Sequence, residues 1–361
     1  MDDRLGYWRR HFGLEWPGQE ICAALAAKYL ERVEVVDPKS LVALAGKPML
    51  FLANHQCFVE SLLFSYAVPP LCGRPVVALA KMAHRDGWLG RFVDLVFGYP
   101  GVPEHHAVEY IDRDDPDVGT TVARLEAQVR GGHSLLIHVE GTRRRSARRG
   151  RVLAVSPLWI GLAMAHDWPI VPVRFVGGLP IEDLGYKLDA PYRHGRQIIR
   201  LGRPISCDEL LRQPVDGRVS YVRAAINALQ DCRTEEPGAP DHDFGIAVDR
   251  WTALTGAEPM AAVLLEGLRR WVERRRVPST LEESPGDFTD ACDALVAAAD
   301  LHREAAAVLR VPPGPEGAWL ARMAAFLFGP RGPAILDRSV AGRASVSLAA
   351  PNLATRHALQ G

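Results

Sequence analysis

Residues 48–67 read "PMLFLANHQCFVESLLFSYA", which is two apolar runs separated by a short polar break. The first run is typical of a buried strand, and residues 59–67 have the composition of a helix. His55 lies where the strand is expected to end, and Glu60 follows in the break. Residues five apart lie about 140° around a continuous helix, so the two side chains converge only if the helix begins between them. The break is interpreted either as a His–Glu pair or as a loop histidine beside a helix-start glutamate.

The same alternation of apolar runs and helix-length segments continues along the first two thirds of the chain. Further strands are predicted at 33–37, 75–80, 134–139, 169–176 and 197–205. Helices are predicted at 17–33, 84–97, 118–130, 151–166 and 208–233. Nearly all-apolar strands that alternate with helices indicate an α/β fold, here a mixed, mostly parallel sheet covered by helices. Pro169 and Pro172 favour an edge strand or a bulge for their segment.

The character of the sequence changes after residue 233. Residues 234–243, "TEEPGAPDHD", are rich in proline and acidic residues and predict a linker. We therefore expect an α/β domain at 1–233 and a helical extension at 244–328, followed by a loosely ordered tail at 329–361.

The composition narrows the classes of protein that need to be considered. The 361 residues carry 43 basic and 43 acidic side chains, so net charge gives no indication of nucleic-acid binding. The six cysteines are scattered without a C-x-x-C pair, as in reduced proteins of the cytoplasm. No apolar segment approaches the ~18 uninterrupted residues of a membrane-spanning helix, so any membrane contact is expected at the surface.

A second polar break follows the strand predicted at 134–139. Its residues Glu140, Gly141, Thr142 and Arg143 offer a carboxylate, a tight turn, a hydroxyl and a guanidinium suited to phosphate or carboxylate. Six arginines fall between residues 143 and 151. The alternative interpretation is a solvated basic loop, which applies above all to Arg144, Arg145 and Arg148.

Four sequence blocks together resemble the glycerolipid acyltransferase family, whose best-known members acylate lysophosphatidic acid. The blocks are Asn54, His55 and Glu60; Ile111, Asp112 and Arg113; Glu140 to Arg143; and Ile170 to Val173. Lys81 in "LAKMA" is similar to the family's lysine-containing segment, and "RLGRPI" is similar to its closing strand. The resemblance covers about residues 35–210. Glu60 stands where the family usually has aspartate.

The resemblance implies direct acyl transfer from a thioester donor to a hydroxyl or amine acceptor. His55 would be the general base and Glu60 would orient it. Arg113, Arg143 and Lys81 would bind an anionic group of the acceptor, such as the phosphate of a lysophospholipid or a glycerol phosphate. Glu140, in the turn formed with Gly141 and Thr142, would bind an acceptor hydroxyl. No metal or cofactor is expected; acyl-CoA or an acyl carrier protein would be the co-substrate.

Two alternatives remain open for the function. The first is acyl transfer or thioester hydrolysis on a carrier-protein-bound intermediate of a specialised biosynthetic pathway. The second is a non-catalytic protein that binds acyl carriers. The arginines at 143–151 suit an acidic carrier protein and also suit anionic lipid headgroups. The expected location is the cytoplasm, with peripheral contact at the inner face of an anionic membrane, and no nucleic acid is expected as a partner.

Overall fold

The computed structural model describes residues 3–103, 107–112, 117–148, 150–230, 237–261, 263–264 and 315–328. These residues fall into two compact units, one comprising residues 3–242 with 263–264 and the other comprising 243–261 with 315–328. The first unit contains the sheet and all of the predicted site residues that are described.

The described residues of the two units form twelve α-helices and seven strands. The helices are Asp3–Phe12 (α1), Pro17–Tyr29 (α2), Pro38–Ala43 (α3), Glu60–Ala67 (α4), Pro69–Cys72 (α5), Trp88–Phe97 (α6), Val118–Arg130 (α7), Pro157–Ala165 (α8), Cys207–Leu211 (α9), Arg218–Asn227 (α10), His242–Thr255 (α11) and Pro315–Phe328 (α12). The strands are Leu30–Val35 (β1), Leu50–Ala53 (β2), Val76–Lys81 (β3), Val108–Ile111 (β4), Ser134–His138 (β5), Ile170–Val176 (β6) and Gln197–Leu201 (β7).

The strands form one seven-stranded sheet in the order β1-β7-β6-β2-β5-β3-β4. Every neighbouring pair is parallel except β6–β7, which is antiparallel. The predicted fold class, a mixed and mostly parallel sheet with helices, is therefore confirmed. Parallel strands place their carboxyl ends at one edge of the sheet, which is where open α/β sheets bind ligands.

Both faces of the central strand β2 are buried, which explains its continuous apolar sequence. Leu50 and Leu52 face a cluster that includes side chains of α7, α8, α9 and α10. Phe51 points to the opposite face, where its ring centroid lies 5.0 Å from that of Phe64 on α4. The alternation along β2 therefore anchors α4 on one side of the sheet, and α4 begins at Glu60.

Several predicted boundaries are wrong by a few residues. The helix predicted at 17–33 ends at Tyr29 because the β-branched segment that follows pairs with β7 as β1. The helix predicted at 151–166 begins only at Pro157, where the Ser156 hydroxyl accepts a hydrogen bond from the Leu158 amide. The segment predicted as one helix at 208–233 forms α9 and α10, separated by a turn at Pro214. Helix α1 and strand β4 were not predicted.

The proline-containing strand β6 lies inside the sheet, so the edge-strand interpretation is wrong. It pairs with β2 on one side and with β7 on the other. The register between β6 and its antiparallel neighbour moves by one residue between the Ile170–Ile205 bridge and the Val173–Leu201 pair. The extra residue lies within 202–204, so the bulge is opposite the proline-containing segment, and the prediction of a bulge in that segment is wrong. Pro172 lies in the β6 part of this interval. It has no amide hydrogen to donate, and its carbonyl accepts a hydrogen bond from the Gly202 amide at 2.8 Å.

The predicted domain limits stay a prediction, because residues 231–236 and 329–361 lie outside the described part of the chain. Helix α12 lies within the segment predicted to be a helical extension, and α11 begins two residues before it, within the predicted linker. None of the described helices combines the length and the apolar character needed to cross a membrane.

Candidate active site

The carboxyl edge of the sheet brings together side chains from four neighbouring strands. Ala53 at the end of β2 pairs with His138 at the end of β5, and Lys81 at the end of β3 pairs with Ile111 at the end of β4. Asn54 links the end of β2 to β6. Its side chain donates a hydrogen bond to the Phe175 carbonyl (2.9 Å) and accepts one from the Phe175 amide (2.7 Å). His55 follows directly, so its backbone is fixed by the strands on either side of β2.

His55 and Glu60 lie together as the polar break predicts. Helix α4 begins at Glu60, and the His55 Nδ1 lies 3.0 Å from Glu60 Oε2. The Glu60 side chain is fully buried, whereas 15% of the His55 side chain is exposed. A buried carboxylate that accepts the Nδ1 proton leaves Nε2 as the basic ring nitrogen.

The buried Glu60 carboxylate is surrounded by hydrogen-bond donors. The Gln56 amide donates to both oxygens, at 3.2 and 3.0 Å, and the Gln197 side-chain amide donates to Oε1 at 2.7 Å. Burial nevertheless raises the pKa of the Glu60 carboxyl to about 7, against the lowering effect of these hydrogen bonds. Glu60 is thus held in place and lies close to its titration point at neutral pH.

A second histidine, His138, packs directly on the first. Its ring is stacked on the His55 ring with the centroids 3.8 Å apart. Its Nδ1 lies 2.7 Å from the Asn54 carbonyl oxygen and its Nε2 lies 3.1 Å from the Ser61 hydroxyl. Burial, followed by the proximity of His55, lowers the pKa of His138 to about 3, so this imidazole is neutral at physiological pH.

His55, Glu60 and His138 are close enough to be considered as metal ligands, with candidate ligand atoms within 4.8 Å of one another. Their donor set fits a hydrogen-bond network better. The His138 Nδ1 faces a carbonyl and must carry a proton, and its Nε2 is engaged by Ser61. Both Glu60 oxygens accept hydrogen bonds already. The expected lack of a metal stays a prediction.

The Glu140 carboxylate is engaged by Arg144. The Arg144 Nε lies 2.9 Å from Oε2, and its Nη2 lies 2.6 Å from Oε1. The His55 backbone amide also donates to Glu140, at 3.4 Å. Glu140 thus ties the turn after β5 to the backbone of His55, while its predicted contact with an acceptor hydroxyl stays a prediction. The interpretation of Arg144 as a solvated loop residue is wrong, because only 13% of its side chain is exposed.

Replacing Arg144 by methionine is expected to lower the free energy of unfolding by about 3 kcal/mol, because Glu140 would lose its cationic partner in a largely buried position. Urea denaturation measures the change. Arg145→Met is the matched control, since Arg145 is exposed, and its effect is expected to stay within about 0.5 kcal/mol. Equal effects for the two variants would contradict this account of the Glu140–Arg144 pair.

The remaining residues of the turn are placed as the sequence predicts. Gly141 has φ of 65°, a left-handed conformation that few other residues adopt readily, so the predicted tight turn is present. The Thr142 hydroxyl accepts a hydrogen bond from Lys187 Nζ at 2.6 Å. Arg143 donates to the Leu188 carbonyl at 2.7 Å and forms an ion pair with Asp189. Because 68% of the Asp189 side chain is exposed, an incoming anion can replace it at low cost.

Gly141, Thr142, Arg143 and Lys187 border a cleft of about 460 Å³ beside His55. Its cationic lining consists of Lys81, Arg143 and Lys187, with Asp112 as an acidic neighbour. Its apolar lining consists of Phe58, Leu79, Ala80, Ile111, Ile137, Val139, Leu158 and Trp159. The predicted anion-binding residue Arg113 lies outside the described residues.

Four residues of the site were not identified from the sequence: Ser61, His138, Lys187 and Gln197. Ser61 follows Glu60, and its spacing gives no signal because serine is common near helix starts. Gln197 reaches Glu60 from 137 residues away, through the β6–β7 pairing. His138 ends an apolar run immediately before the turn, which is the one signal that could have pointed to it.

Comparison with known proteins assigns a class to this fold and site. The family model described as Acyltransferase matches residues 32–176. The match covers the segments that carry His55, Glu60 and the turn at Gly141, and it assigns them to an enzyme of the acyl-transfer class. The chain is also similar to the crystal structure of the 1-acyl-sn-glycerophosphate (LPA) acyltransferase PlsC from Thermotoga maritima, with 16% identity over 56% of this chain and 73% of that chain, and a TM-score of 0.37. No curated protein matches the chain.

Proposed function

We propose that this enzyme transfers an acyl group from a thioester donor to a hydroxyl or amine acceptor that carries an anionic group, with His55 as the general base. The observation that carries the proposal is the 3.0 Å contact between His55 Nδ1 and the fully buried Glu60 carboxylate. It lies beside a cleft with both cationic and apolar walls.

The chemistry requires one proton acceptor and a fixed attack geometry. His55 Nε2 takes the proton of the acceptor hydroxyl while the oxygen attacks the thioester carbonyl. Glu60 stabilises the imidazolium that forms, because the Nδ1 proton remains directed at its carboxylate. The tetrahedral intermediate then breaks its carbon–sulfur bond, and the thiolate leaves with the proton from His55 Nε2. No acyl-enzyme is needed for this sequence.

The lining of the cleft suits an acceptor with an anionic group and a donor with an apolar acyl chain. Lys81, Arg143 and Lys187 provide positive charge for the phosphate of an acceptor such as a glycerol phosphate or a lysophospholipid. The apolar side chains that line the cleft, including Leu158 and Trp159, suit the acyl part of the donor.

The donor is proposed to be either acyl-CoA or an acyl carrier protein. Arg145, Arg148 and Arg151 are exposed on the loop that follows the turn at Gly141. Such a basic surface favours association with an acidic carrier protein or with the phosphates of coenzyme A.

Product analysis by mass spectrometry tests the proposal. The protein is incubated with acyl-CoA and acyl carrier protein in parallel, against sn-glycerol 3-phosphate, lysophosphatidic acid and simple amine acceptors. We expect a product whose mass is that of the acceptor plus the acyl group, less water. Free fatty acid as the product in every reaction would identify a hydrolase instead. Carrier binding without any turnover would favour a non-catalytic role.

Activity is expected to fall on the acid side of neutrality. Because the pKa of Glu60 is raised to about 7, lower pH protonates this carboxylate, and His55 then loses the acceptor that holds its proton on Nδ1. Below about pH 7 we expect kcat to fall by up to about tenfold per pH unit. The measurement is kcat against pH with both substrates saturating. An undiminished kcat at about pH 5.5 would show that the pair does not act as the base.

A further inference from the structure

The protons of the His138–Ser61 pair can be assigned from its geometry. His138 Nδ1 lies 2.7 Å from the Asn54 carbonyl oxygen, which can only accept, so Nδ1 carries the proton. A neutral imidazole has one N–H, so Nε2 is a bare acceptor. The Ser61 hydroxyl, 3.1 Å from Nε2, must therefore be the donor in that contact. The only hydroxyl proton of Ser61 is therefore donated to His138.

On the side of the cleft, the Ser61 hydroxyl oxygen can therefore only accept a hydrogen bond. Both Ser61 and His138 line the cleft together with His55. A hydroxyl that has donated its proton still has an oxygen able to accept a hydrogen bond. The cleft thus contains two kinds of acceptor close together: the basic nitrogen of His55 and the oxygen of Ser61.

A substrate needs two protons to satisfy these two acceptors. The proton of the reacting hydroxyl goes to His55, so a monohydroxyl acceptor has none left for Ser61. A neighbouring hydroxyl, or the second N–H of a primary amine, can supply it. Given the proposed acyl-transfer function, we propose that Ser61 accepts a hydrogen bond from this second proton donor, with His138 as its positioning residue. The enzyme therefore prefers acceptors that are vicinal diols or primary amines, such as a glycerol phosphate, over a lysophospholipid with a single hydroxyl.

The engagement of Glu140 supports this assignment. The resemblance to the acyltransferase family gives Glu140 the role of binding an acceptor hydroxyl, but Arg144 engages both of its oxygens. Glu140 is also absent from the lining of the cleft, whereas Ser61 belongs to it. Ser61 thus presents to the cleft the acceptor oxygen that Glu140 does not.

Paired acceptor probes test the selection directly. We compare sn-glycerol 3-phosphate with 3-hydroxypropyl phosphate, which lacks the second hydroxyl, and 2-aminoethyl phosphate with its N-methyl derivative. The wild-type enzyme is expected to prefer the first member of each pair that it uses by about tenfold in kcat/KM. In Ser61→Ala this ratio is expected to fall to about one, through a higher KM for the preferred probe. Ser61→Thr, which keeps a hydroxyl, is expected to recover most of the preference.

Ser65→Ala is the matched control, because Ser65 lies one turn further along α4 with a buried hydroxyl outside the cleft lining. It is expected to keep the wild-type ratio. His138→Phe retains an aromatic ring beside His55 but removes the acceptor for Ser61, so it should lower the ratio by raising KM more than it lowers kcat. Circular dichroism checks that each variant is folded.

The outcomes separate this inference from the proposed function. A wild-type protein that acylates no acceptor contradicts the proposed function itself. A wild-type enzyme that acylates acceptors with a single proton donor as well as the diol or primary amine contradicts only the role of Ser61, as does an unchanged ratio in Ser61→Ala.

Discussion

His55→Ala is expected to lower kcat by about a thousandfold, since general-base catalysis contributes roughly 10²–10⁴-fold. The imidazole borders the cleft and contacts Glu60 through Nδ1. No other described residue combines a position in the cleft with such a buried carboxylate partner. Steady-state rates of acyl transfer measure the loss.

The loss should appear in kcat with little change in the KM of the donor, because the cationic and apolar walls of the cleft stay in place. His166→Ala is the matched control: His166 also contacts a carboxylate, with its Nε2 2.8 Å from Glu126, but it lies on the loop after α8. Its activity is expected to stay close to that of the wild type. Transfer by His55→Ala within about tenfold of the wild-type rate would remove His55 from the mechanism.

Glu60→Gln is expected to lower kcat by about 10²–10⁴-fold; the corresponding carboxylate-to-amide change in a serine protease triad costs about 10⁴. An amide has one acceptor oxygen, whereas Glu60 receives hydrogen bonds at both oxygens from Gln56, Gln197 and His55. The NH₂ group must face one of these donors. If it faces His55, the imidazole proton moves to Nε2 and the base is lost.

Glu126→Gln provides the control for Glu60→Gln, because Glu126 is the partner of His166. Glu60→Asp keeps the charge and tests the length of the side chain, so it should retain more activity than Glu60→Gln. Equal activity in Glu60→Gln and the wild type would show that the carboxylate does not orient the base.

The sequence predicts the features that depend on residues close together in the chain. The all-apolar strand β2 and the start of α4 at Glu60 follow from the run and break at residues 48–67, and they place His55 beside Glu60. The turn at Gly141 follows from its glycine. Both segments are short and lie at strand ends, where the topology of a parallel sheet brings them together.

The features that escaped prediction depend on contacts between distant segments. Gln197 reaches Glu60 only because β7 folds back antiparallel to β6. A spacing of four residues predicts an ion pair only within a helix. Glu140 and Arg144 lie in a turn, so their contact could not be expected from their spacing. The stack of His138 on His55 requires the pairing of Ala53 with His138, which a strand pattern alone does not specify.

The most direct measurement of the central claim is the release of free thiol from an acyl thioester, followed with and without acceptor. The account predicts that the wild-type enzyme releases thiol rapidly only when a hydroxyl or amine acceptor is present, and that His55→Ala releases almost none. Rapid release without acceptor, or release that survives the His55 substitution, would contradict acyl transfer by His55.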